Sequence, residues 1–210
     1  MVNIKRETLT HKSHNKILLA IGEEKDYAAS IGKKIGLERS DVKQQLDQLR
    51  KTNYVLLDET KQHKNKKLYS INWYQLALDF FYYIEKQTKR QTYATRLVIA
   101  KNKYFIELLK SAFAQNYEDY ISHKTPIKTI EEIFNEIFMQ MVFYLPPHHD
   151  AELKNMSKKN KKLKSFLEFT EELYNFVLTN QTDSVGEFYR RVAEEKLLEK
   201  EPAGRPKNKK

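Results

Sequence analysis

The sequence predicts a mainly α protein interrupted by one short β-hairpin in its N-terminal half. Three observations carry this. Apolar residues recur at helical spacing along most of the 210-residue chain. A β-rich, basic run stands between residues 54 and 71. Glycine and proline number five each. A glycine share well under the usual ~7% disfavours multi-turn β folds and glycine-rich phosphate loops.

A first helix is expected from His14 to Ile21. Ile17, Leu18 and Ile21 fall on one side, Ser13 suits the cap, and Gly22 ends the run. Asp26 suits the cap of a second helix. Tyr27, Ile31 and Ile35 are its apolar positions, and Gly32 is a small residue that lets another helix cross closely. Gly36 suits the left-handed turn that closes a helix, and Leu37 plugs that turn. A third helix, 39–52, follows. Val42, Leu46 and Leu49 make its buried face; Arg39, Ser40, Lys43, Gln44, Asp47 and Arg50 make the other. Asn53 suits positive φ where helix hands over to strand. Tyr54–Leu57 and Leu68–Ile71 read as strands, with the basic run KQHKNKK, Lys61–Lys67, as the turn between them. Two helices, a tight turn, a polar-faced third helix and a basic hairpin make a winged helix-turn-helix with a two-stranded wing, here 58–68.

Residues 31–57, IGKKIGLERSDVKQQLDQLRKTNYVLL, resemble the helix-turn-helix of ArsR-like and MarR-like winged-helix transcription regulators. KKLYSIN and WYQLALDFF, residues 66–81, look like the second wing strand and following helix of archaeal members. The resemblance spans residues 12–85. Two positions depart from it: Glu38 stands where Ser or Thr commonly caps the third helix, and Gly32 replaces the usual Ala. The resemblance implies that the third helix enters the major groove of DNA and the wing lies along the backbone or minor groove. Side-chain chemistry points the same way. Arg39 or Lys43 suits guanine O6 and N7, and Gln44 suits adenine. Ser40, at a helix start, suits a phosphate. Lys61, His63, Lys64, Lys66 and Lys67 suit phosphate neutralisation and counterion release.

The remainder reads as an all-α C-terminal region. Trp73, Leu76, Ala77, Phe80, Phe81 and Ile84 share one helix face. Leu97, Val98, Phe105, Leu108, Leu109, Ala112, Phe113, Asn116 and Tyr120 continue at helical spacing, with a break expected near Thr88–Thr92. Pro126 marks a boundary. Thr129 and Glu132 form a capping box before the wide apolar face of Ile130, Ile133, Phe134, Ile137, Phe138, Met141, Val142 and Leu145. Pro146-Pro147 stops that helix. A Lys-rich linker, Lys154–Lys164, holds six Lys and no acid. Leu163, Phe166, Leu167, Thr170, Leu173, Tyr174 and Val177 then make another helix. Ser184 and Glu187 open a last one, and the basic tail 201–210 is expected to be disordered. Within the tail, Gly204-Arg205-Pro206 resembles the core of an AT-hook, with Ala203 in place of its preceding Arg. It implies Arg205 and Lys207 as minor-groove contacts.

Charge follows this division. Residues 1–72 carry 15 basic and 9 acidic side chains, net +6; 73–150 carry 9 and 9; 151–210 carry 14 and 10, net +4. The domains expected are therefore 1–85 for DNA binding, 86–200 for dimerisation and possible sensing, and the tail. With no Cys, disulfides, thiolate metal sites and Cys nucleophiles are excluded. No Ser–His–Asp spacing, HExxH, phosphate loop or dinucleotide fingerprint occurs, so neither an enzyme nor a cofactor is expected. His148, His149 and Asp150 lack a third spaced ligand, so no metal is expected either. Met1–His14 has no signal core and no run nears the ~20 apolar residues of a membrane span. The expected location is cytoplasmic and nucleoid-associated.

The function expected is a transcriptional regulator that binds double-stranded DNA as a homodimer paired through helices within 73–121. Half-buried aromatics there also suit a pocket for a small-molecule effector, which nothing in the sequence specifies. The alternatives are a winged-helix protein-interaction subunit of a transcription or replication assembly, and a plasmid or viral replication initiator.

Overall fold

The computed structural model describes residues 12–22, 24–63, 66–88, 97–123, 125–145 and 151–179. The protein is mainly helical with a small three-stranded antiparallel sheet. The elements are α1 (Lys12–Ile21), β1 (Asp26–Tyr27), α2 (Ala28–Ile35), α3 (Arg39–Lys51), β2 (Val55–His63), β3 (Lys66–Ile71), α4 (Trp73–Thr88), α5 (Lys103–His123), α6 (Ile130–Phe143), α7 (Ala151–Lys158) and α8 (Lys161–Thr179). They divide into two compact units, Met1–Glu85 with Gln91–Phe138, and Lys86–Arg90 with Met139–Lys210.

In the first unit, α1 is buried on more than one side. Ile17, Leu18, Leu19, Ala20 and Ile21 are all inside, as are His14 and Asn15. His14 Nε2 lies 2.9 Å from Gln48 Oε1 on α3, and Asn15 donates to the Lys128 carbonyl. The helix already runs from Lys12, so Ser13 lies within it and is not its cap. Gly22, at φ +65°, ends α1 and donates its N–H to the Leu18 carbonyl at 3.1 Å.

The sheet has the order β1-β3-β2, so the hairpin acquires a third strand. Asp26 pairs with Tyr69 and Tyr27 with Leu68. Tyr27 is therefore an exposed strand residue and not a helix position. The capping chemistry expected of Asp26 acts from one residue before the N-cap. Its carboxylate accepts from the Tyr27 N–H at 2.7 Å and from Ser30 Oγ at 3.0 Å, and pairs with Lys34 at 2.9 Å. The strands of the hairpin also run further than their apolar cores. β2 continues to His63 and β3 starts at Lys66, so most of the KQHKNKK run is strand, not turn. Backbone pairing carries the ladder through these polar residues, which the apolar pattern alone does not mark.

Asn72 begins α4, taking the Gln75 N–H on its side chain and the Leu76 N–H on its carbonyl. Leu76, Ala77, Phe80, Phe81 and Ile84 are fully buried. The Phe80 ring sits 5.2 Å from Phe105 and 5.4 Å from Phe134, and Trp73 meets Phe113 edge-on at 5.5 Å. Such pairs are worth about 0.5–1.5 kcal/mol each beyond area burial. The run from Leu97 to Tyr120 is not one helix. Asn102 interrupts it, its side chain accepting the Tyr104 N–H at 3.0 Å and its own N–H donating to Ile99. Leu97 and Val98 thus fall off the buried face of α5 and are exposed. The capping box of α6 forms in both directions, Thr129 N–H to the Glu132 carboxylate and Glu132 N–H to Thr129 Oγ1. Those bonds hold the Glu132 carboxyl below its ordinary value.

In the second unit, the Lys-rich stretch is an elbow between α7 and α8, not a linker. Asn160 starts α8 by accepting the Leu163 N–H at 3.2 Å. Leu163, Phe166, Leu167, Thr170, Leu173, Tyr174 and Val177 are buried, and Phe169 joins them. Pro146-Pro147, the capping pair Ser184–Glu187 and the tail with Arg205 and Lys207 lie outside the described residues. Among the described residues no helix is long and apolar enough to cross a membrane.

Candidate nucleic-acid interface

The α2–α3 turn is set by two glycines. Gly36 ends α2 at φ +69° and ψ +33°, a conformation that costs a residue with a Cβ roughly 1–2 kcal/mol. Its N–H and that of Leu37 both point to the Gly32 carbonyl. A Cβ at Gly32 would stand 2.6 Å from the Leu37 carbonyl oxygen and 3.4 Å from Val42 Cγ2. The close crossing expected at Gly32 is therefore real, and its tightest neighbour is the turn's own backbone. A methyl at this position would therefore force the turn to shift.

This turn aims α3. Val42, Leu46 and Leu49 are 0% exposed. Arg39, Ser40, Lys43, Gln44, Asp47 and Arg50 all face solvent, as the helical period requires. Glu38 occupies the N-cap and makes no side-chain capping bond. Asp47 and Arg50 lie 3.6 Å apart with both side chains well exposed. Such a pair contributes little and separates readily when a partner offers better bonds. The outer face also includes Lys51 on the last turn, a residue the sequence reading passes over although it adjoins Arg50. Acids are interspersed: Asp41 and Asp47 on the helix, Glu38 before it.

A buried polar cluster holds the hairpin base against α4. Asn53, at φ +65° as expected, reverses the chain after α3. Tyr54 is wholly buried and donates its hydroxyl to Asp79, whose other oxygen accepts from Gln75 Nε2 at 3.1 Å. Burial first, then the Asp79 charge and hydrogen bond, push the Tyr54 phenol far up, so it stays a donor. Asn72 adds bonds from its N–H to the Tyr54 carbonyl at 2.8 Å and from its side chain to the Asn53 carbonyl at 3.0 Å. Val55 pairs with Ile71 and Leu57 with Tyr69. Burial first, then the Asp47 charge, raise the Tyr69 phenol, with Arg50 opposing. Further out, the ladder is irregular between Asp58 and His63, where His63 pairs with Lys66.

Of the predicted hairpin cations, Lys67 is exposed. Lys61, His63 and Lys66 have backbones in strands, but their side chains are not among those described, and Lys64 lies outside the described residues. Asp58 pairs with Lys25, an ion pair that a spacing of 33 residues hides from sequence reading. Among the described residues no three His, Asp or Glu side chains come together to hold a metal ion; His148, His149 and Asp150 lie outside them.

The expected pairing surface within 73–121 is largely spent inside the chain, because its apolar residues make the core. Tyr82, Leu97, Val98 and Ile121 remain exposed, at 52–63%.

Comparison with known families, curated proteins and solved structures finds no match to this chain.

Proposed function

We propose that α1–α3 with the β2–β3 hairpin form a winged helix-turn-helix and that the protein is a DNA-binding transcriptional regulator. The observation that supports this most is the division of α3: one face closes the core, and the opposite face offers six polar side chains to solvent from a rigid mounting. A helix so mounted suits the major groove, where Arg39, Lys43 and Gln44 pair with base edges and Ser40 with a phosphate. The hairpin lies along the backbone through Lys67 and its neighbouring cations. Two copies pair through 73–121, using Tyr82, Leu97, Val98 and Ile121, so that two α3 helices meet successive major grooves.

Selection of bound duplexes from a random pool tests the reading. It expects a recurrent, two-fold symmetric sequence. Replacing Lys43 and Gln44 together by Ala should lower affinity for that sequence by tenfold or more while leaving affinity for random duplex nearly unchanged, since a bidentate base contact is worth about 1–3 kcal/mol. An unchanged preference would sink the readout. One observation favours a second reading, a winged helix that contacts a protein. Asp47 within the polar face, and Asp41 and Glu38 beside it, oppose phosphate. That reading predicts no duplex affinity at any salt concentration and loss of a protein partner when α3 is changed.

A further inference from the structure

The α7–α8 elbow carries a charge arrangement that helix stability does not explain. Lys154, Lys158, Lys159, Lys161, Lys162 and Lys164 are all exposed, and no acid lies between residues 154 and 164. Lys158 sits at the C-terminal end of α7, where a cation complements the helix dipole. Lys161, Lys162 and Lys164 sit in the first turn of α8, which has no acidic residue, and there the dipole disfavours them. Asn160 is already engaged as the cap, so the lysines are not needed to satisfy the helix start. Lys164 is paired one turn on with Glu168 at 3.6 Å, both well exposed, a bond that yields to a stronger anion. The outer face of α3 intersperses acids among its cations. The elbow does not.

We propose that the elbow is a second nucleic-acid surface that grips duplex phosphates without regard to sequence. It rests on the DNA-binding reading for its partner but not on α3 for its contacts. Its surroundings favour phosphates over a lipid surface. The exposed side chains between the lysines are Asn155 and Met156, with Ser157 and Asn160 half-buried. Amides bond phosphate oxygens, whereas the Ser157 hydroxyl is already given to the Lys154 carbonyl at 2.7 Å. An interfacial helix instead needs a broad apolar face, and that of α8 is consumed by the core: Leu163, Phe166, Leu167 and Phe169 are buried. Lys154 and Lys158, four residues apart, share one side of α7, and Lys159 and Lys161 lie at the two-residue elbow that follows. A run of cations around a bend tracks a phosphate backbone and reads nothing in the groove. Such a surface adds affinity to every duplex and leaves the preference among sequences to α3.

The test compares the full chain with a variant in which Lys158, Lys159, Lys161 and Lys162 are all replaced by Gln, a change that keeps helix propensity at exposed positions. Binding to random and selected duplexes is measured over a salt series. The fourfold variant should lose affinity for both duplexes by the same factor. Its slope of log affinity against log salt should be shallower by about 3–4, at ~0.9 for each phosphate that is no longer neutralised. The matching fourfold Arg variant should bind like the wild type. An unchanged slope in the Gln variant overturns the proposal. So does a wild-type chain that binds vesicles of phosphatidylserine and phosphatidylcholine but no duplex, with the Gln variant losing that binding. The Lys43→Ala, Gln44→Ala chain separates the two readings. If it keeps full sequence preference while the Gln variant loses slope, the α3 reading fails and the elbow stands; the converse removes the elbow alone.

Discussion

Helices α3 and α6 are nearly the same length, 13 and 14 residues, yet the protein uses them in opposite ways. In α3 three aliphatic side chains are buried and nine polar ones face water. In α6 Ile130, Ile133, Phe134, Ile137, Phe138, Met141 and Val142 are all fully buried. One stripe suffices to dock a helix on a core, so α3 keeps most of its circumference available. The apolar arc of α6 is twice as populated and is spent on packing. The difference teaches where each kind of mutation acts: in α6 on stability, on the outer face of α3 on the proposed binding alone, and at the turn before α3 on both.

The sharpest way to break this contrast is Phe134→Ala. The ring is fully buried and packs against buried Phe80 and half-buried Tyr83, and its loss should cost about 3–5 kcal/mol. A shift of the urea midpoint at unchanged slope checks it; a loss under about 1 kcal/mol would mean that the core tolerates a cavity there. Gly32→Ala comes next, at about 1–3 kcal/mol, because the new methyl meets backbone and not a flexible side chain. Under the proposed DNA-binding reading, and unlike Phe134→Ala, it should also weaken duplex binding at temperatures where the chain is still folded, by tilting α3.

Thr129→Ala removes the N-cap of α6 and should cost about 0.5–2 kcal/mol by the same denaturation measurement. Its partner Glu132 adds a pH signature. The folded carboxyl titrates below its ordinary 4.5, chiefly through the Thr129 backbone N–H. The stabilisation is therefore complete above that ordinary value and lost as pH falls through the folded one. Glu132→Gln keeps the hydrogen-bond geometry, so its deficit should be present at neutral pH and vanish under acid. Because the side chain faces solvent, the deficit will be small. A deficit that grows on acidification would contradict the bonding pattern. Smallest of all, Lys43→Ala with Gln44→Ala should leave stability within about 0.5 kcal/mol. A larger loss would show that the outer face of α3 also serves the fold.

Much of the fold is legible in the residues themselves. Helical period alone marks Val42, Leu46 and Leu49 as inside and their six polar neighbours as outside, and the positive φ of Gly22, Gly36 and Asn53 follows from residue type. The Thr129–Glu132 box follows from two side chains three residues apart. Sequence and structure part where the deciding partner is remote along the chain. β1 is two residues long and is a strand only because Leu68 and Tyr69 lie beside it. Leu97 and Val98 match the period of α5, but an Asn that caps better than it continues a helix removes them from it. The apolar residues of 73–121 carry no label saying whether another chain or their own chain covers them; the fold supplies that cover with Phe134 and its neighbours.

What the sequence determined by itself is therefore local: periods, caps, glycine turns and the uneven distribution of charge, each set by groups within one or two helical turns of each other. What only the tertiary structure decided is who meets whom: the Tyr54–Asp79–Gln75 cluster, the His14–Gln48 and Lys25–Asp58 contacts, and the pairing of β1 with β3. These depend on which surfaces are excluded from water together, and exclusion is a property of the packed chain as a whole.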